Sequence, residues 1–529
     1  MRNILNRPGF LSAGLAGILL IFPVTLLAHG FAQRYDLPVP LNLYLTGSGF
    51  AVALSFVVVA IFVRGSHALA GYPRFNLLGT PIGRLFAHPL VTNALRTISV
   101  AMLVLIVVAG FIGDTNPFKN IVPTTVWVIW WVGFAYISGL LGDLWAVVNP
   151  WNAIFRVYEW VQKKLLPRFH GTLSVAYPMR LGDWPSVALF LCFIWAELIW
   201  PASDSPIGLA RAALAYSLIT WLGMFIFGRE VWLRHGEVFS VLFRLLARFA
   251  PLEIRTGNTD VCNSCSDVHC VTGRDCVGCS ECFSHTSSPQ WNLRPWAVGL
   301  LDTRAVSTSK MVFVLLMLAS VTFDGLLATP LWAEAGREML YSEQLRSLIV
   351  FLQDFAGDAY AAVSTLALVA FLIVFQLFYL LFSALVYWIT PAAERSRVSI
   401  LQVAKIFVLT LIPIALAYHL AHYLSFLLIV GQYMIPLASD PFGFGWDLFG
   451  TSLYMVNIGI VNAKFVWYTS VVAIVTGHII AVYLAHVIAI RTFRSSKAAL
   501  LSQIPMLVLM VSYTMLSLWI LAQPVVESG

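Results

Sequence analysis

Long uninterrupted apolar stretches limit the fold of this chain more than any other feature of its sequence. Eleven such runs, most of about twenty residues, are long enough to cross about 30 Å of hydrocarbon as helices and lack the alternation of barrel strands. They cover Phe10–Ala28, Gly47–Val63, Leu95–Gly113, Ile121–Leu141, Pro185–Trp200, Ile207–Phe227, Lys310–Leu331, Ala359–Ile389, Ile400–Val430, Phe465–Ile490 and Ile504–Ala522. The pattern predicts an all-α, polytopic membrane protein with about eleven transmembrane helices. A soluble globule is excluded, because only 11% of the 529 residues are charged where about a quarter is usual.

The runs fall into two groups, residues 1–250 with about six spans and residues 310–529 with about five, separated by a polar segment at 251–309. Within that segment lie six of the seven cysteines, in VCNSCSDVHCVTGRDCVGCSECF from Val261. All but six of the 32 Lys and Arg (Arg34, Lys119, Arg211, Arg337, Arg346 and Lys464) fall on one side if the spans alternate. Basic loops stay inside, so the N-terminus and the cysteine loop are expected in the cytoplasm, and the chain in a bacterial inner membrane. The net charge of +7 is scattered over short loops and marks topology, with no phosphate-binding face for nucleic acid. The run Phe10–Ala28 also reads as a signal peptide; cleavage there would leave His29 as an N-terminal copper chelator, but Leu26 is a poor residue three before the cut. Two further segments, Trp151–Leu166 and Arg229–Phe249, place apolar residues at helical spacing with interleaved basic residues and are expected to lie along the inner leaflet.

The cysteine spacing is C-x2-C-x4-C-x5-C-x2-C-x2-C, formed by Cys262, Cys265, Cys270, Cys276, Cys279 and Cys282, with His269 and His285 beside the two halves. A C-x2-C pair brings two thiolates within reach of one metal, and two such pairs on one loop mark a metal site. Zinc is favoured, with three thiolates and a histidine from each half as one arrangement. An iron–sulfur cluster is the alternative, since Cys276, Cys279 and Cys282 open a C-x2-C-x2-C run in which Thr286 replaces the fourth cysteine. Three disulfides would require the outer compartment. Cys192 reads as ordinary packing within a span.

Ionisable residues inside spans require partners and mark functional sites. His419 and His422 occupy neighbouring faces of one turn in AYHLAHY, and His478 lies at a compatible depth on a span running the other way. Asp324, with Glu197, supplies candidate carboxylates. These residues are expected to bind a metal, copper or haem at one site, with His486 too deep to join them. The alternative is interhelical hydrogen bonding to carbonyls or to Tyr418, Tyr423 and Tyr483.

Four segments carry a family resemblance: AHGFAQRYDLPVPLNLYL from Ala28, LGDLWAVVNPW from Leu141, RPWAVGLLD from Arg294 and VTFDGLLATPLW from Val321. Together they resemble bacterial integral membrane proteins described as fenitrothion hydrolase. The resemblance implies the membrane subunit of a heteromeric enzyme whose partner belongs to the LppY/LpqO family, acting on an apolar aryl phosphotriester. It assigns no active-site residue. Expectations from other classes are a metal-handling permease and an electron-transfer subunit; no C-x-x-C-H haem motif occurs.

Overall fold

The computed structural model describes residues 37–63, 71–168, 171–257, 260–265, 271–272, 275–303 and 306–523. The run Phe10–Ala28, His29, His269 and Cys270 lie outside the described residues. Among the described residues, ten helices are long and apolar enough to span a membrane: α1 (Leu41–Phe62), α2 (Pro89–Ile112), α3 (Ile121–Leu140), α4 (Met179–Leu198), α5 (Pro206–Phe227), α6 (Thr308–Leu327), α7 (Ala359–Ile389), α8 (Ile400–Ser439), α9 (Ala463–Thr492) and α10 (Ser496–Ala522). The chain is a multi-pass helical membrane protein. Its centre is α6 and α8, buried over 72% and 67% of their apolar windows, whereas α1 and α2 are buried over only 17% and turn the rest of their apolar surface to lipid.

Local chemistry sets the helix starts. Ser307, Asp358 and Asn462 each accept a backbone N–H three residues on, and Ser399 with Gln402 forms a reciprocal capping box at the head of α8, satisfying donors that have no partner within the helix. Within α8 the α-helix ends at Phe407, passes through a tight turn at Val408–Leu411, and resumes at Ile412. Pro413 accounts for the break, because it has no N–H to give and sits in the first turn of the new segment.

Close helix contact is bought by small residues. On α9, a Cβ at Gly477 would stand 2.8 Å from the Pro413 carbonyl oxygen and 2.6 Å from Ala417 Cβ. Gly477→Val is therefore expected to force α8 and α9 apart and cost about 1–3 kcal/mol. A clear fall in the unfolding midpoint in detergent would register this; an unchanged midpoint would contradict the tight crossing.

The 251–309 segment is more than a loop. Strands β1 (Phe75–Asn76), β2 (Leu252–Thr256), β3 (Val271–Thr272), β4 (Asp275–Val277) and β5 (Pro289–Leu293) form an antiparallel sheet in the order β1-β5-β2-β4-β3. Strand β1 comes from the connection between α1 and α2, so the N-terminal region closes one edge. Buried Glu253 fixes this joint, accepting from Arg294 at 2.7 Å, Arg74 at 2.5 Å and Tyr72 Oη at 3.2 Å.

The expected surface helix at Arg229–Phe249 is corrected. It is two helices, Arg229–His235 and Val238–Ala247, broken at Gly236, and nine of the ten residues in the second are buried. Apolar spacing is the same whether a helix faces lipid or protein. What distinguishes them here is Glu237, fully buried at the N-cap, where it accepts from Phe239 N, Ser240 N, Trp145 Nε1, Asn149 Nδ2 and Tyr216 Oη. The arginines read as lipid contacts bond inward instead: Arg244 to the Leu233 carbonyl and Arg248 to those of Gly299 and Asp302. Cys192 is exposed on the surface of α4 and does not pack.

Candidate functional site

Among the described residues, two of the polar clusters contain the side chains singled out in the sequence. The first lies inside the bundle. Glu197 near the end of α4, Asp324 near the end of α6 and His419 and Tyr423 of α8 line a cavity of about 30 Å³ whose apolar wall includes Phe190, Leu242, Leu246 and Met317. That is room for a water molecule or two. Tyr423 Oη lies 2.5 Å from Asp324 Oδ2 and 3.1 Å from Glu197 Oε1, joining the two carboxyl groups. Asp324 Oδ2 also meets His422 Nε2 at 2.8 Å, and Glu197 Oε1 accepts from Trp131 Nε1 at 2.5 Å. One hydroxyl has one proton. Tyr423 can donate to only one carboxylate, so the contact with the other calls for a proton on that carboxyl group.

Trp131 belongs to Thr124–Gly133, wound as a π-helix, a wide turn found often at functional sites. His419 is ringed by Tyr423, Tyr136 and Trp131, with centroids at 4.8, 5.3 and 5.8 Å, and its Nε2 is buried without a hydrogen-bond partner.

The expected grouping of His419, His422 and His478 is not what these helices build. His478 directs Nδ1 to the Ile474 carbonyl at 2.8 Å and packs beside Tyr513. Among the described residues, the trios of ligand atoms within 4.8 Å of one another are all cysteine sulfurs. The physical reason is that a histidine buried on an α-helix finds the carbonyl four residues back already within reach. His486 is held at both nitrogens, by Gln503 Oε1 and the Val63 carbonyl, each at 2.9 Å, and serves as an interhelical tie. Sequence reasoning named Asp324 and Glu197 but missed Trp131, which gives no signal within an apolar run; Tyr423 had one, adjoining His422 in AYHLAHY.

The second place is the cysteine loop. Cys262 lies in the turn Asp260–Ser264, Cys265 just after it, Cys276 on β4, Cys279 just beyond that strand and Cys282 on the short helix Ser280–His285. Gly278, at φ +75°, makes the turn between Cys276 and Cys279 in a conformation that favours glycine. Cys276 and Cys282 are each 1% exposed, and the sulfurs of Cys265 and Cys279 are 3.6 Å apart. None of these cysteines is disulfide-bonded. A cluster at such distances could hold a metal ion. Arg234, assigned from sequence to the membrane surface, sits beside it, with Nη2 3.7 Å from Cys265 Sγ, 3.8 Å from Cys279 Sγ and 3.0 Å from Glu281 Oε2. His285 is turned away, bonded to Ser284 and the Glu281 carbonyl.

The thiols differ in acidity. A hydrogen bond from Cys276, aided by the backbone at Cys282 and the charge of Arg234, holds Cys279 down to about 5, whereas burial pushes Cys282 up. A lowered value means thiolate near neutral pH. In metal-free protein Cys279 is expected to be alkylated first and Cys282 last, as read by peptide mass spectrometry over time; equal rates would contradict this.

Comparison with protein-family models, with curated proteins and with solved structures finds no match to this chain.

Proposed function

We propose that the chain is the membrane subunit of a hydrolase acting on an apolar aryl phosphotriester, and that its acid–base centre is formed by Glu197, Asp324, His419, His422 and Tyr423. The observation that carries this reading is the pairing of two carboxyl groups from different spans through one tyrosine hydroxyl on an apolar cavity. Apolar pockets with a few convergent polar groups are the usual form of small-molecule sites. The substrate class is the one implied by the family resemblance, which assigns no active-site residue. In this reading the chain lies in a bacterial inner membrane with its N-terminus and cysteine loop cytoplasmic, works with an LppY/LpqO-like partner, and holds zinc at the cysteines.

The chemistry follows from the proton count. A water in the cavity gives a proton to Asp324, oriented by His422, as its oxygen bonds to phosphorus. The bond from phosphorus to the aryl oxygen breaks, and protonated Glu197 supplies the proton that turns the departing aryloxide into a phenol. Tyr423 then returns the proton from Asp324 to Glu197. The cavity has room for the attacking water.

Two carboxyl groups joined through one hydroxyl inside the bundle also fit a second reading, a proton-coupled permease. Proteoliposomes containing the chain and its partner separate the two. Phenol release that is independent of an imposed pH gradient supports the hydrolase; gradient-driven uptake of the intact ester without phenol release supports the permease.

A further inference from the structure

The two C-x2-C pairs do not close on one centre. Their sulfurs sort by position: the first cysteine of each pair, Cys262 and Cys276, groups with Cys282, and the second of each, Cys265 and Cys279, groups with Cys282 again. Within each trio all ligand atoms lie within 4.8 Å of one another, and among the described residues no set of four does. An ion bound by four thiolates at about 2.3 Å in a tetrahedron needs every sulfur pair at about 3.8 Å. Four of the described cysteines on one ion would thus have appeared as a quartet.

We propose that the loop binds two metal ions of the zinc type, one held by Cys262, Cys276 and Cys282 and the other by Cys265, Cys279 and Cys282, with the Cys282 thiolate bridging them and the fourth position of each ion open to water or another ligand. Local structure accounts for the sorting. Around the left-handed turn at Gly278, Cys276 on the strand and Cys279 beyond it fall in different trios although their side chains are in contact. The short helix then returns Cys282 to the middle, where its sulfur interacts with those of Cys262, Cys265 and Cys279. Its 1% exposure matches a shared central ligand. Arg234 stands against the second trio. An iron–sulfur cluster fits this arrangement poorly, because inorganic sulfide joins its irons and each cysteine serves one iron; a cysteine common to both trios has no place in it.

The inference rests on the reading that the loop holds metal, and one measurement separates the two. Metal analysis of the full chain, purified anaerobically in lipid nanodiscs, is expected to give two zinc ions per chain and no acid-labile sulfide, falling to one or fewer in Cys282→Ser. One ion per chain overturns the bridged pair and leaves the metal reading intact; no metal overturns both. If Cys282→Ser does not fold, cobalt titration of the unaltered chain decides. The paramagnetic signal is expected to grow up to one equivalent and to decline with the second, as the two ions couple through the shared sulfur. Growth without decline to two equivalents overturns the bridge.

Discussion

Asp324→Asn is expected to lower phenol release by the assembled complex by about 10²–10⁴-fold, the usual contribution of a positioned general base. The side chains are nearly the same size, so the cavity persists and the chain inserts at its normal level. What is lost is the acceptor that His422 and Tyr423 both address at one oxygen. Glu197→Gln is expected to fall by a similar factor, and the double variant by little more than either, because groups sharing one proton act as a unit. Gln503→Leu, which removes a partner of His486 far along α9, should loosen packing and spare turnover. Full activity in Asp324→Asn would remove the carboxyl pair from the chemistry.

The second large effect concerns folding. Cys276→Ser together with Cys279→Ser removes one sulfur from each trio and is expected to abolish bound metal and sharply reduce folded protein, since binding energy of this kind is folding energy. The loss should spread beyond the loop. The strand carrying Cys276 pairs with β2, which follows directly on the buried helix Val238–Ala247, and Arg234 ties the helix before it to Cys265, Cys279 and Glu281. Size-exclusion profiles and metal content of the double variant are the readout; normal metal with normal yield would show that the cluster is not a metal site.

Most of the membrane architecture was legible in the sequence because hydrocarbon imposes a simple rule: a run must be apolar and long enough. Each of the ten described spans overlaps an expected run, with limits that differ by at most nine residues. Burial against protein was less legible. The repeat of apolar residues at Arg229–Phe249 fits a lipid surface and a protein surface equally, and Glu237 becomes a buried cap only when Trp145, Asn149 and Tyr216 are brought to it from elsewhere in the chain. For the same reason depth alone grouped His419, His422 and His478, though ring direction decides contact, and His478 turns to its own helix. The cysteine spacing announced a cluster of thiols close enough to hold a metal ion, but the sorting of the two pairs into two trios depends on the turn at Gly278 and the return of Cys282, which spacing does not convey.

The central claim is that ester hydrolysis takes place within this chain. Its most direct test is the rate of phenol release from an aryl dialkyl phosphorothioate by the partner alone, by this chain alone and by the two reconstituted together. The account predicts hydrolysis only when this chain is present, and its loss on replacing Asp324 with the partner unchanged. Hydrolysis at full rate by the partner without this chain would contradict it.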